Sequence, residues 1–282
     1  MHLLFDIGNT RVKWALIDGS GFSSRDAALA AQFKAHDSLQ PLLKHAGDIE
    51  SAWVCCVGSK DVLKRIEAWV NANTKATFNT FKVSKSAGEF KNAYQDIKKL
   101  GVDRWAAAWG ARALVPQGHI IIVDAGTTVT IDWLDANNVF QGGAIVPGAT
   151  LMHDSLVDRT VGIQSVLVDA APLVGRTTQD CVNSGVHFGL VGAVRNIIQE
   201  MQRKIHVSHL DHPHLHYEAE DAVIVLTGGD SKILSTTLGL ELRVDKNLVL
   251  RGLSIMALSS ENLSSENLGS ETIESEALGS KT

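Results

Sequence analysis

The chain has little of several things. Three cysteines occur among 282 residues, Cys55, Cys56 and Cys181. The set is odd and sparse, and its adjacent pair lies in an apolar run that would point the two thiols to opposite faces of a strand. A disulfide framework is not expected. No apolar stretch approaches the roughly 20 residues that a membrane helix needs, and the opening His2-Leu3-Leu4-Phe5 lacks a basic n-region before a long apolar core. A cytoplasmic protein with no membrane partner is expected. Excess positive charge is also missing: 26 Lys and Arg stand against 31 Asp and Glu. The segment Ser259 to Thr282 alone carries five Glu and one Lys, so the remainder is within one charge of balance. Nothing resembles the basic stripe that nucleic-acid binding by counterion release requires.

What the chain does have is length and a repeated loop. At 282 residues it exceeds the usual single domain, so two domains or one duplicated fold are expected, with roughly 70% or more of the unfolded surface buried. Asp6-Ile7-Gly8-Asn9-Thr10 and Asp124-Ala125-Gly126-Thr127-Thr128 each follow a brief apolar run, 118 positions apart. A strand that ends in a carboxylate and turns on glycine brings backbone N–H groups and hydroxyls against phosphate oxygens, while the carboxylate holds a metal ion or its water. One such loop is common in ordinary hairpin turns. Its recurrence points to a nucleoside triphosphate gripped from both sides.

Leu3 to Asp6 reads as a first strand and Val12 to Ile17 as its hairpin partner, with Asn9 supplying the positive backbone angle of the turn. Lys13 is placed to neutralise charge on a transferred phosphoryl group. Ser51 to Val57 reads as a strand, and Asp61 to Asn71 as a helix with Val62, Ile66, Trp69 and Val70 on one face. The alanine-rich run Trp105 to Leu114 reads as a helix with Asp103 at its N-cap. After Pro116-Gln117-Gly118 the opening order returns: strand His119 to Asp124, glycine turn, strand Val129 to Leu134, then the glycine-rich Gly142 to Gly148. Thr178 to Lys204 reads as a long helix, Ala222 to Leu226 as a buried strand and Leu248 to Leu258 as a closing helix. Thr227-Gly228-Gly229-Asp230 follows that strand, where glycine backbone lets a base or ribose lie close. The expected division is 1–116, 117–258 and an acidic tail over 259–282, whose five-residue repeat fits neither helix nor strand and predicts disorder.

Two phosphate loops followed by a Gly-Gly turn resemble the actin and sugar-kinase superfamily. The resemblance narrows on Asp6 to Lys13, Gly101-Val102-Asp103-Arg104, Asp124 to Thr127 with Thr130 and Asp132, Gly142 to Gly148, and Leu226 to Asp230, which together look like a type III pantothenate kinase. The fold this implies is α/β, a duplicated ribonuclease-H-like (actin-like ATPase) fold with the active site in the cleft between two similar halves. The activity implied is ATP-dependent phosphorylation of pantothenate to 4′-phosphopantothenate, by a homodimer.

The resemblance also implies roles. Asp6, Ile7, Gly8, Asn9, Thr10, Arg11, Val12 and Lys13 would bind ATP, with Thr127 adding a contact from the second loop. Mg²⁺ would accompany ATP near Asp6, and Asp124 would hold a monovalent cation, K⁺ or NH₄⁺. Gly101, Val102 and Arg104 would bind pantothenate, Arg104 through its carboxylate, with Asp103 as general base. Tyr94 and Thr178 stand at the family's offsets for further pantothenate contacts. Arg176-Thr177-Thr178 replaces the commoner Asn-Thr pair, and Thr128 stands where the family usually has Ala. Judged without the resemblance, Asp103 is a helix cap and Arg104 a surface ion pair.

His206, His209, His212, His214 and His216 suggest a metal site, but their spacing around Pro213 fits a polar loop better. The tryptophans read as core. Two other functions fit the same loops: a nucleotide-binding regulatory accessory protein without kinase activity, and a kinase for another small acceptor. Gly101 to Arg104 is the segment that discriminates.

Overall fold

The computed structural model describes the backbone over residues 1–211 and 222–259. His212, His214, His216 and the acidic repeat from residue 260 therefore lie outside the described residues.

Two compact units are present. The first comprises Met1–Lys82 with the described chain from Val249, the second Val83–Leu248. In the first, β1 (His2–Ile7) and β2 (Arg11–Asp18) form the expected hairpin, β3 (Gly21–Leu29) pairs with β2, and α1 (Ala35–Leu39) leads to β4 (Ser51–Cys56), α2 (Lys60–Asn73) and β5 (Thr77–Thr80). The sheet order is β3-β2-β1-β4-β5, with β4 and β5 added in parallel. The second unit opens with β6 (Ser86–Ala87), β7 (Phe90–Asn92) and α3 (Val102–Leu114). It continues through β8 (Ile120–Ala125), β9 (Thr128–Leu134), β10 (Val139–Pro147), α4 (Ala149–Arg159), α5 (Thr178–Asp211), β11 (Val223–Thr227), α6 (Ser231–Thr237) and β12 (Arg243–Val244). Its sheet runs β12-β11-β8-β9-β10-β7-β6. Read from β10, the order β10-β9-β8-β11-β12 repeats that of the first unit strand for strand. The chain thus has the duplicated ribonuclease-H-like fold.

The repeat starts over near residue 117, but the compact unit begins at Val83. The reason is that β7 joins the second sheet as a parallel neighbour of β10, through Val139 opposite Lys91 and Phe140 opposite Asn92. The helix over 248–259 (α7) closes the described chain.

The central strands explain where the chemistry sits. β1 and β8 have the same burial pattern, fully buried except for the fifth residue, which is Asp6 in one and Asp124 in the other. Covering both faces demands near-continuous apolar residues, so the half-buried carboxylate falls at the strand end. In the first unit Leu3, Phe5, Ile7, Trp14 and Val54 pack on Val62, Ile66, Trp69 and Val70 of α2. In the second, Ile121, Val123, Ile131 and Leu226 meet Val182, Val186, Leu190, Val194 and Ile198, a single stripe along α5. Each such side chain contributes about 1.5–3 kcal/mol when fully buried. The stripe carries α5 beyond Lys204, so His206 is helical where a polar loop was expected.

Behind each Asp-x-Gly loop stands the glycine that follows the parallel neighbour strand. A Cβ on Gly58, just after β4, would lie 2.2 Å from the Gly8 carbonyl oxygen. A Cβ on Gly228, just after β11, would lie 2.1 Å from that of Ala125, at a φ of +97°. Gly58→Ala is expected to destabilise the protein by about 1–3 kcal/mol through overpacking. Gly228→Ala should cost more, because a strained backbone adds about 1–3 kcal/mol. Urea unfolding of the two variants checks both, and wild-type midpoints would rule out the close approach.

Candidate active site

Loop one is a tight turn. The Gly8 N–H donates to the Arg11 carbonyl at 2.9 Å, closing the hairpin between Ile7 and its register partner Val12. Asn9 does not take the positive φ expected of it; among the described non-glycine residues only Asn138 does. Asn9, Thr10 and Arg11 are exposed at the tip, whereas Ile7 and Val12 are buried in the core. Their side chains therefore serve the fold, and only their backbone is left for a ligand. Asp6 and Lys13 are direct cross-strand partners, which puts carboxylate and ammonium on one face of the sheet.

Loop two is held from two sides. The Gly148 N–H donates to the Thr127 carbonyl at 3.0 Å, and the Asp230 N–H to that of Ala125 at 2.9 Å. Thr127 and Thr128 are exposed and Asp124 is half-buried. Asp124 has Thr130 opposite on β9 and Thr227 opposite on β11.

The start of α3 brings the next group together. Gly101, not Asp103, is the N-cap, and it makes no side-chain cap bond. Asp103 lies in the first turn, where its Oδ1 accepts from the Arg104 N–H at 2.9 Å. A Cβ on Gly101 would meet that same Oδ1 at 2.5 Å, so glycine makes room for the carboxylate. Burial pushes the Asp103 carboxyl above its ordinary range, outweighing the backbone hydrogen bonds and the Arg104 charge that pull it down.

Arg104 is a buried residue instead of a surface ion pair, with 7% of its surface exposed. Its Nε donates to Asp132 Oδ2 at 3.0 Å and Oδ1 at 3.2 Å, and its Nη2 to Oδ1. The guanidinium lies 5.8 Å from the Tyr94 ring centre and 5.9 Å from that of Phe140. Tyr94 is placed by its N–H, which donates to the Oδ1 of buried Asn92 at 2.9 Å. Burial would neutralise both members of the ion pair. On Asp132 desolvation outweighs the pull of Arg104, so its carboxyl lies above the ordinary range, while the same bidentate, charge-assisted contact holds Arg104 above its ordinary value against the desolvation that lowers it. A Cβ on Gly143 would lie 2.4 Å from Asp132 Oδ1, so this glycine, opposite Asp132 on β10, clears the space.

The structure thus brings Tyr94, Gly101, Asp103 and Arg104 together, and adds Asp132 and Phe140. Thr178, in the same unit, lines a cavity of about 480 Å³ with Leu156, Arg176, Thr177, Cys181 and Val182. Thr177 Oγ1 accepts from the Asp180 N–H at 3.1 Å, capping the start of α5. The signal for Asp132 was present: a carboxylate in an apolar strand, between Ile131 and Trp133, needs a buried cation. Arg104→Met should cost about 3–5 kcal/mol in urea unfolding, because it takes the guanidinium away from a carboxyl group that stays buried. Arg104→Met with Asp132→Asn should lose less. Equal losses would show that the two side chains are not coupled.

A family model for type III pantothenate kinase matches residues 2–200. A type III pantothenate kinase of Alkalilimnicola ehrlichii is 31% identical over 255 residues, spanning 90% of this chain and 97% of its own. One of Halorhodospira halophila is 35% identical over 201 residues, 69% of this chain and 78% of its own. Among solved structures, a Campylobacter jejuni protein assigned to the Baf family of transcriptional activators superposes with a TM-score of 0.56 at 19% identity, over 92% of this chain and 99% of its own. A Sinorhizobium meliloti protein assigned as a 2-dehydro-3-deoxygalactonokinase gives 0.51 at 14%, with the same coverage. At such identities these two bear on the fold alone. The sequence matches span both phosphate loops and the Gly101 to Arg104 segment, and by them the chain belongs to the type III pantothenate kinase family.

Proposed function

We propose that this chain transfers the γ-phosphoryl group of ATP to the primary hydroxyl of pantothenate, giving 4′-phosphopantothenate for coenzyme A synthesis. The observation that carries the reading is the pairing of chemistries at the start of α3. A carboxylate raised by burial stands one residue from a buried guanidinium, and the acceptor offers an unactivated alcohol and a carboxylate. Asp103 accepts the hydroxyl proton as the oxygen bonds to the γ-phosphorus; the bond to the bridging oxygen breaks and ADP leaves. Arg104, with Tyr94 beside it, receives the acceptor's carboxylate. The backbone and hydroxyls of Gly8 to Arg11, with Lys13 and Thr127, bind the phosphates.

Among the described residues no three His, Cys, Asp or Glu side chains converge on one point. Single carboxylates at strand ends suit ions shared with phosphates better than closed protein cages. Mg²⁺ brought with ATP is assigned to Asp6, where it would neutralise phosphate charge. The monovalent cation, K⁺ or NH₄⁺, is assigned to Asp124, where Thr130 and Thr227 add neutral oxygens in register. A cytoplasmic homodimer completes the reading; among the described residues no helix is long and apolar enough to cross a membrane.

ADP release with ATP and Mg²⁺ should require both pantothenate and potassium, with a sodium-only control inactive. Release that ignores pantothenate, or ATP binding without release, would favour another acceptor or a regulatory role. Asp103→Asn should lower kcat by about 10²–10⁴-fold with ATP binding retained, and a variant within threefold of wild type would sink the general-base role. Because Asp103 must be ionised to accept a proton and its carboxyl titrates high, kcat/KM should fall with decreasing pH along a limb lying above the usual aspartate value of about 3.9. A raised folded value means that ionisation costs stability as pH rises through it, so Asp103→Asn should not lower the melting temperature at pH 7. Gly101→Ala, which crowds the same carboxylate, should lower kcat with little effect on unfolding.

A further inference from the structure

We propose that Asp132 is a positioning residue of the phosphoryl-transfer site, one that orients Arg104 toward the acceptor's carboxylate and balances the guanidinium charge beside Asp103. The inference rests on the pantothenate kinase reading for its substrate and on geometry for its mechanism. Asp132 occupies one edge of the guanidinium, through Nε and Nη2. The rings of Tyr94 and Phe140 stand against it at 5.8 and 5.9 Å. With one edge taken by Asp132, the far edge, with Nη1, is where a second carboxylate can meet the guanidinium beside the Tyr94 hydroxyl that also bonds it, in the planar manner that guanidinium favours. Asp132 itself cannot turn away, since it is 1% exposed and seated over Gly143, where a methyl group would intrude on its Oδ1.

The charge argument is separate. Asp103 is faced by Arg104 from its own helix and by Asp132 from β9, and Arg104 is faced by both carboxylates and by the Tyr94 hydroxyl. An unbalanced guanidinium next to Asp103 would draw its carboxyl down and make it a poorer proton acceptor. The bidentate contact with Asp132 offsets that pull and so keeps Asp103 basic.

The test titrates the Asp103 carboxyl by ¹³C NMR in the full chain, with Asp103→Asn identifying the signal, in wild type, Asp132→Asn and Asp132→Glu. Asp132→Asn should bring the Asp103 titration down by roughly one pH unit, the lower end of what a nearby opposite charge does. Asp132→Glu keeps the charge and should titrate near wild type, while its longer side chain displaces Arg104 and raises KM for pantothenate several-fold with kcat less affected. If Asp132→Asn does not fold, Asp132→Glu decides alone: the KM increase with an unmoved titration supports the proposal, and wild-type KM overturns it. An unmoved Asp103 titration in folded Asp132→Asn also overturns it. Failure of the wild type to phosphorylate pantothenate would refute the substrate reading, and the titration would still decide the role of Asp132 in setting Asp103.

Discussion

The close approach of backbone to backbone at the ends of β1 and β8 is the constraint on which the rest depends. Each central strand is covered on both faces, so its only half-exposed side chain is the carboxylate near its end. The loop beyond can lie flat only because the neighbouring parallel strand ends in a glycine, Gly58 in one unit and Gly228 in the other. A methyl group at either place would push the loop outward. The exposed hydroxyls of Thr10 and Thr127 owe their placement to residues that carry no functional group at all.

Electrostatics decides what the second unit adds. A buried ion pair does not stabilise a fold merely by existing, since desolvation of both charges roughly cancels their attraction. The value of Arg104 and Asp132 lies in being costly to separate. Once formed, the bidentate contact fixes a long, flexible cation where no surface arginine could be fixed. The same burial works in the opposite sense on Asp103, which has backbone N–H bonds and no full counter-ion, and desolvation wins there. One local environment therefore yields a charged anchor and a basic carboxylate two different ways.

Much of this was legible in the sequence. Alternation, glycine turns and the repeated Asp-x-Gly located both hairpins, and Thr178 to Lys204 read as the long helix that α5 forms. What was not legible depended on contacts distant in the chain. Gly58 carries no motif, and its need is set by the Gly8 carbonyl fifty residues earlier. Asp103 looked like a cap because the residue type favours caps; the helix begins two residues sooner, at a glycine whose missing side chain gives the carboxylate its room. Asn9 looked suited to a positive φ that this turn does not use. Arg104 read as a surface residue because its partner is 28 positions away, on β9.

Duplication supplied two loops of one design, and small differences in register separate their proposed jobs. Opposite Asp6 stands Lys13, a cation already on the same sheet face. Opposite Asp124 stands Thr130, with Thr227 on the other side, so the strand that neighbours this carboxylate offers oxygens where the first unit offers an ammonium. A carboxylate matched with a lysine suits a nucleotide whose own phosphates bring the divalent ion, since ammonium and metal then share the phosphate charge. A carboxylate matched with hydroxyls suits a weakly held monovalent ion, which asks for several oxygens and little net charge. Among the described residues the first unit has no counterpart of β7 or of Arg104 with Asp132, and the proposed acceptor chemistry accordingly falls to the second.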